Sequence, residues 1–425
     1  MKAVAAGNEN YLSDLEYLVR EMEKSFTQTN HASRKFGVDM GAQAKALADK
    51  IAAAEQVYQA HEFYDLLQEY IFTPGVQKAG SRSWYSMTSN VDTLSKDFYL
   101  EFFLRTSKGQ EGSYDEYIHK ILNRSAAVKF YTGKDATGDY REEVLELARL
   151  NSPVLSKKTE QGKLPVVTTD IPLEGKVARL KVDAMGPNML YDPDFYSALE
   201  DRIFDFYNEI ADFQHLVFDV RGNPGGFTPF VERMLVGPHV SEPVELSGFV
   251  FFPGDAAGEQ VRHCTDTFYT DERYPRMDLG EMVGKGMLPD LDPGDAKMLG
   301  SGAYNHWMTF SPTERRSPFK GQIWILIDGG TGSASEVFSI LARQAGIARI
   351  VGVQSQGNYS KSRGQGSLFF IGLPNTGIVV TWDPVYFTDA HGRHAHEYHV
   401  IPDHFNRPGM DALATVLAIV EDEAG

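Results

Sequence analysis

Ile325-Leu326-Ile327-Asp328-Gly329-Gly330-Thr331-Gly332-Ser333-Ala334-Ser335-Glu336 reads as a buried strand, a turn of small residues and the start of a helix. A short apolar run bounded by glycines fits a core strand. Glycine and alanine let backbone pass close to a ligand. The first turn of a helix offers unbonded N–H groups and the positive end of its dipole. A serine held there lies near donors able to stabilise an oxyanion, which makes Ser333 the candidate nucleophile. The simpler competing reading is that Thr331, Ser333 or Ser335 only caps the helix.

Upstream, the same grammar recurs. His215 to Val220 is a buried strand that runs into Arg221-Gly222-Asn223-Pro224-Gly225-Gly226. Two glycines after a proline can turn N–H groups into a cavity, or simply make a tight turn. Both segments end strands of one α/β sheet, where such sheets place their sites. From about residue 172 strands and helices alternate: strands at 177–182, 245–252, 322–328 and 349–353, helices at 193–210, 333–346 and 411–420, and a late hairpin at 368–382. That alternation predicts a layered α/β domain over 171–425. Residues 254–298, rich in Gly, Pro and Asp, interrupt it and read as an insertion or lid without secondary structure.

Residues 1–75 carry helical periodicity (Tyr11, Leu12, Leu15, Leu18, Val19, Met22, then an Ala- and Leu-rich stretch from Gln43 to Ile71) and predict an N-terminal helical domain. Residues 76–170 are a poorly defined α/β region. Within it, Val128 to Asp135 reads as a strand and turn, and Asp115 to Leu122 and Tyr140 to Leu150 as helices.

Composition sets outer limits. With 42% hydrophobic and 23% charged residues the chain is an ordinary globular sequence, and no apolar run reaches the roughly 20 residues of a membrane span. A formal net charge of −17 argues against nucleic acid as a partner. Cys264 is the single cysteine, so no internal disulfide can form, and an incidental thiol is the plainer reading than a nucleophile. The compartment stays open: the start, Met1 to Gly7, lacks a signal-peptide core and reads as cytoplasmic, yet Ala3-Val4-Ala5-Ala6 also fits a chain starting after a cleaved signal. Homo-oligomerisation also stays open. The histidines His391, His394, His396 and His399 invite a metal reading, but no HExxH pattern supports it, and the expectation is no metal and no cofactor.

Taken in order, Phe218-Asp219-Val220-Arg221-Gly222-Asn223-Pro224-Gly225-Gly226, Thr331-Gly332-Ser333-Ala334-Ser335-Glu336, Arg349-Ile350-Val351-Gly352 with Gly357, Val400-Ile401-Pro402-Asp403 and Asp411-Ala412-Leu413 resemble the tail-specific (C-terminal-processing) serine protease family, of the tricorn core and chlamydial protease-like factor type. The resemblance covers residues 172–420. It implies a crotonase-like ββα superhelix and a serine hydrolase acting on a peptide or small acyl substrate. Ser333 falls on the nucleophile, and the N–H groups of Gly225 or Gly226 and of Ala334 on the oxyanion hole. A degenerate PDZ-like module within 76–170 is a further implication. The base departs from the pattern. Asn358 stands where many members have lysine, and an amide cannot take the serine proton. Lys361 is a nearby substitute, or else a solvated loop lysine beside Arg363. Glu397 lies one residue from the slot of the triad acid, and His31, His61 and His119 lack the setting of the family histidine. Two other classes remain open: a non-proteolytic enzyme on the same scaffold (esterase, lactonase, cyclase or lyase), and an inactive binding homologue.

Overall fold

In the computed structural model the apolar stretches after residue 166 form a six-stranded sheet. The structure describes residues 7–72, 91–93, 119–135, 140–151, 167–186, 193–254, 276–357, 369–382, 386–394 and 399–424, with single positions 96, 99, 100, 103 and 384. The chain divides into two units, one of which consists of Gly162–Gly248, His306–Lys361 and His394–Gly425.

This unit contains strands β1 (Val167–Leu173), β2 (Val177–Val182), β3 (His215–Asp219), β4 (Gln322–Ile327), β5 (Ala348–Gly352) and β6 (His404–Phe405), hydrogen-bonded in sequence order. The β1–β2 pair is antiparallel and all other neighbours are parallel. Helices α1 (Pro193–Glu209), α2 (Ala334–Gln344) and α3 (Ala412–Ala424) cover it.

The strands read as continuous apolar runs because both faces are buried. In β4, Ile323, Ile325 and Ile327 join α1 and α2 through Ile203, Tyr207, Val337, Phe338 and Leu341. The alternate residues Trp324 and Leu326 join α3 through Val416, Ile419 and Val420. β3 divides likewise, Leu216 and Phe218 to one side and Val217 to the other. The fully buried Phe218 and Phe338 meet edge-to-face at 5.3 Å. Burying a side chain of that size stabilises by roughly 1.5–3 kcal/mol.

The other unit consists of Met1–Gln161, Phe249–Asn305 and Ser362–Arg393. Helices Glu9–Ser25, Thr29–Phe36, Met40–Ala53 and Ala60–Leu67 occupy the predicted helical stretch. Their apolar faces (Leu15, Leu18, Leu47, Phe63) pack with Phe369, Ile371, Val380 and Trp382 of the hairpin formed by Phe369–Gly372 and Val379–Trp382. Buried Asp14 accepts hydrogen bonds from Thr376 N–H at 2.8 Å and its hydroxyl at 2.7 Å.

Two expectations are corrected here. Val128 to Thr132 is not a strand but the end of a helix, Ser125–Thr132, whose buried Ala127, Val128 and Tyr131 share one face and whose C-cap is Gly133 at φ 73°. Spacing of three and four residues outweighed the β-branched and aromatic content. Residues 276–298 are also not structureless. They form a short strand, Arg276–Asp278, and helices Leu279–Gly284 and Pro293–Ala296. Buried Asp295 accepts from Arg34 Nη2 at 2.9 Å, Asn30 Nδ2 at 2.7 Å and Tyr386 O–H at 2.6 Å.

Candidate active site

Parallel pairing places Asp219 of β3 opposite Leu326 of β4, so both strands end at the same edge of the sheet. The two glycine-rich turns that follow are bonded to each other. Asp328 Oδ1 accepts from the N–H groups of Gly222 and Gly330, both at 2.8 Å. Thr331 Oγ1 donates to Val220 O at 2.9 Å, and Gly332 N–H donates to Asn223 O at 3.0 Å. Asn223, fully buried, donates from Nδ2 to Val182 O at 2.8 Å and accepts the Gly225 N–H on Oδ1 at 2.9 Å.

Ser333 lies at the N-cap of α2 with φ 52° and ψ −121°, the one described non-glycine residue with positive φ. Caps are usually extended. This conformation is the one that favours glycine at the first corner of a type II′ turn, and holding a serine in it costs of order 1–3 kcal/mol. The neighbouring turn holds it there. A Cβ on Gly225, itself at φ 105°, would fall 2.5 Å from Ser333 Cβ and 2.9 Å from the Ala334 nitrogen. Only glycine permits that approach. Gly226 follows at φ 142°, against Met185. Among the described residues, the Ala334 and Gly226 N–H groups donate to no protein acceptor, whereas that of Gly225 is committed to Asn223.

Glu336 is the hub. It is completely buried and faces Ser333 as the third helical residue of a capping box. Its Oε2 accepts the Ser333 N–H at 3.0 Å, and its Oε1 accepts the Ser355 hydroxyl at 2.5 Å and the Gly357 N–H at 2.7 Å. Ser355 Oγ in turn accepts the Val400 N–H at 2.7 Å. Ser355 O lies 2.7 Å from His399 Nδ1. A Cβ on Gly357, at φ 82°, would fall 2.7 Å from that nitrogen, so the backbone lies against the imidazole.

Arg221 serves the scaffold. Its Nε and Nη2 bond both oxygens of fully buried Asp219, at 2.8 and 2.6 Å, and its Nη1 reaches Asp411 at 3.0 Å. The bonds to Asp219 raise the guanidinium pKa well above its ordinary value. Asp411 also caps α3 through the Ala414 N–H, and that bond, followed by Arg221, depresses its carboxyl pKa.

Residues 266–404, which include Ser333, match the model of peptidase family S41. Over that stretch the chain is similar to peptidase family S41. No curated protein matches the sequence. Solved structures similar to this chain include a serine-to-alanine variant of CPAF, at 14% identity over 94% of this chain and 93% of that one, with a TM-score of 0.51. A protein from Parabacteroides merdae is 13% identical over 98% and 95%, at 0.47. A photosystem II D1 C-terminal processing protease is 12% identical over 96% and 94%, at 0.37. At such identities the likeness concerns the fold: mixed α/β with a parallel sheet and covering helices.

The structure brings together Ser333, Gly225, Gly226 and Ala334. Lys361, Glu397 and Asn358 lie outside the described residues. Sequence reasoning assigned no role to Glu336, although serine followed three residues later by glutamate is a capping-box signature. His399 figured only in the histidine run considered for a metal. Among the described residues no helix is long and apolar enough to cross a membrane.

Proposed function

We propose that this chain is a serine peptidase of the tail-specific type, working through an acyl-enzyme on Ser333. The match of residues 266–404 to the model of peptidase family S41 supports a peptidase. The backbone of Ser333 carries the assignment of the nucleophile. A strained serine at φ 52°, clamped between Gly225 and Glu336 at a helix start, does more than capping requires. Strain of this kind concentrates at functional sites. In this reading Ser333 Oγ attacks the substrate carbonyl, and the N–H groups of Gly226 and Ala334 receive the developing oxyanion. The amine leaves, and water hydrolyses the ester. Gly225 serves by close approach rather than by its N–H. No cofactor enters the scheme. The proposal extends to a crotonase-like ββα superhelix for the catalytic part and a helical N-terminal domain.

Intact-mass analysis after fluorophosphonate treatment tests it. Wild type should gain one adduct that Ser333→Ala lacks, and peptide cleavage should disappear with it. A folded wild type that takes no label refutes the assignment. Asn358 in place of lysine keeps small acyl esters as a second substrate class. Turnover of activated esters without peptide cleavage would select it.

A further inference from the structure

We propose that Asp328 is a positioning residue of this site, an inference that rests on Ser333 being the nucleophile and the Gly226 N–H an oxyanion donor. Those two groups stand on different turns, after β4 and β3, so the chain between them does not fix their separation. One atom bridges the turns. Asp328 Oδ1 accepts the Gly222 N–H and the Gly330 N–H, both at 2.8 Å. Gly222 precedes Gly225 by three residues, and Gly330 precedes Ser333 by three. The bridge ties the two turns at matching points, just ahead of the residues that must meet.

The plain reading of Asp328 is an Asx turn, in which the side chain bonds the N–H two residues on. That accounts for Gly330. It does not account for Gly222, which lies 106 positions upstream on the other turn. The two backbones touch at this point, where a Cβ on Gly330 would fall 2.9 Å from the Gly222 Cα. Two further bonds join the turns, Thr331 Oγ1 to Val220 O and Gly332 N–H to Asn223 O. Both are neutral. The bond to Asp328 has a carboxylate acceptor, and such bonds are roughly twice as strong.

Stabilising an oxyanion requires donors about 2.7–3.1 Å from the oxygen, and a misplacement of about 1 Å costs on the order of 10²-fold in rate. The Ala334 N–H is covalently next to Ser333 and moves with it. The Gly226 N–H does not, and the bridge sets its place relative to the serine. Loss of the bridge therefore slows the bond-forming step, in which Ser333 Oγ attacks and charge gathers on the oxygen in the hole, and leaves reagent binding alone.

The test follows fluorophosphonate labelling against reagent concentration, which separates the limiting rate from the half-saturating concentration, with thermal melting of each protein. Asp328→Asn keeps an oxygen able to accept both N–H groups and should label within about threefold of wild type. Asp328→Ser keeps a hydroxyl for the local turn to Gly330, but its oxygen stops one bond short and cannot also hold Gly222. Its limiting rate should fall about 10–100-fold at an unchanged half-saturating concentration. A limiting rate for Asp328→Ser within about threefold of wild type overturns the proposal, whatever the melting point, and leaves Asp328 a local turn residue. Asp328→Asn as slow as Asp328→Ser, or slow while Asp328→Ser does not fold, overturns it too, because both bonds are then available without effect. A wild type that takes no label removes the nucleophile reading and this inference with it, whereas a labelled wild type beside an equally fast Asp328→Ser removes this inference alone.

Discussion

Glu336→Gln separates the architecture of the site from ordinary helix capping. The carboxylate accepts three hydrogen bonds in a fully buried setting, from Ser333, Ser355 and Gly357. Bonds to a charged group are worth roughly 1.5–3 kcal/mol each. Alanine would forfeit all three, about 5–9 kcal/mol, which rivals the whole stability of a domain. Glutamine keeps one carbonyl oxygen. With that oxygen on the Ser355 and Gly357 side, two bonds survive and the amide NH₂ opposes the Ser333 N–H. The opposite rotamer loses two, so the first prevails, and the expected cost is about 2–3 kcal/mol. For a body of this size that is a melting-point fall of roughly 5–10 °C. The lost tether is the one that holds Ser333 at positive φ, so the serine can relax toward an ordinary extended cap. Fluorophosphonate labelling should therefore fall at least tenfold in a protein that remains folded. Urea unfolding followed by tryptophan fluorescence, with labelling on the same sample, measures both. An unchanged midpoint together with an unchanged labelling rate would refute the role of Glu336.

The other expectations are simpler. Gly225→Ala places a methyl 2.5 Å from Ser333 Cβ at φ 105°, so it should destabilise by about 2–5 kcal/mol and abolish labelling in whatever folds, by calorimetry and mass spectrometry. Arg221→Ala leaves the buried Asp219 carboxylate to Arg179 Nη1 at 3.4 Å in place of two shorter guanidinium bonds, and should cost up to about 3–5 kcal/mol in urea unfolding, more than loss of a surface arginine. His239 has a buried Nε2 without a partner and, chiefly through burial, with Arg316 and Lys320 adding, a pKa pushed down to about 3. The unfolded chain binds that proton near pH 6.5, so the stability from a neutral His239 is whole above that pH and drains away as pH falls toward 3. The slope is at most about 1.4 kcal/mol per pH unit, an upper value because part of the ring borders a cleft, and His239→Phe should flatten the decline in stability measured between pH 7 and pH 5.

Much of this was legible in the chain. Continuous apolar runs ending in Gly-rich turns mark strands buried on both faces, and the strands expected at 322–328 and 215–220 are β4 and β3 to within a residue. The Ala- and Leu-rich repeats before residue 72 became helices because their apolar spacing leaves little alternative. Val128 to Thr132 misled, since a five-residue window with valine and aromatics cannot reveal that Ala127 and Tyr131 complete a helical face. The segment 276–298 misled because its order comes from elsewhere. Asp295 is satisfied by Arg34, Asn30 and Tyr386, residues remote in sequence.

The sequence by itself determined the nucleophile candidate, the two turns and the edge of the sheet they share, because local pattern specifies strands, glycines specify backbone freedom, and parallel strands end together. Only the tertiary structure decided that the Gly225 N–H bonds Asn223 while those of Gly226 and Ala334 meet no protein acceptor among the described residues. Only it brought Glu336, Ser355, Gly357 and His399 into one network around Ser333. Hydrogen bonds between residues tens of positions apart leave no periodicity in a sequence. They exist once packing has paid the entropy of bringing those segments together.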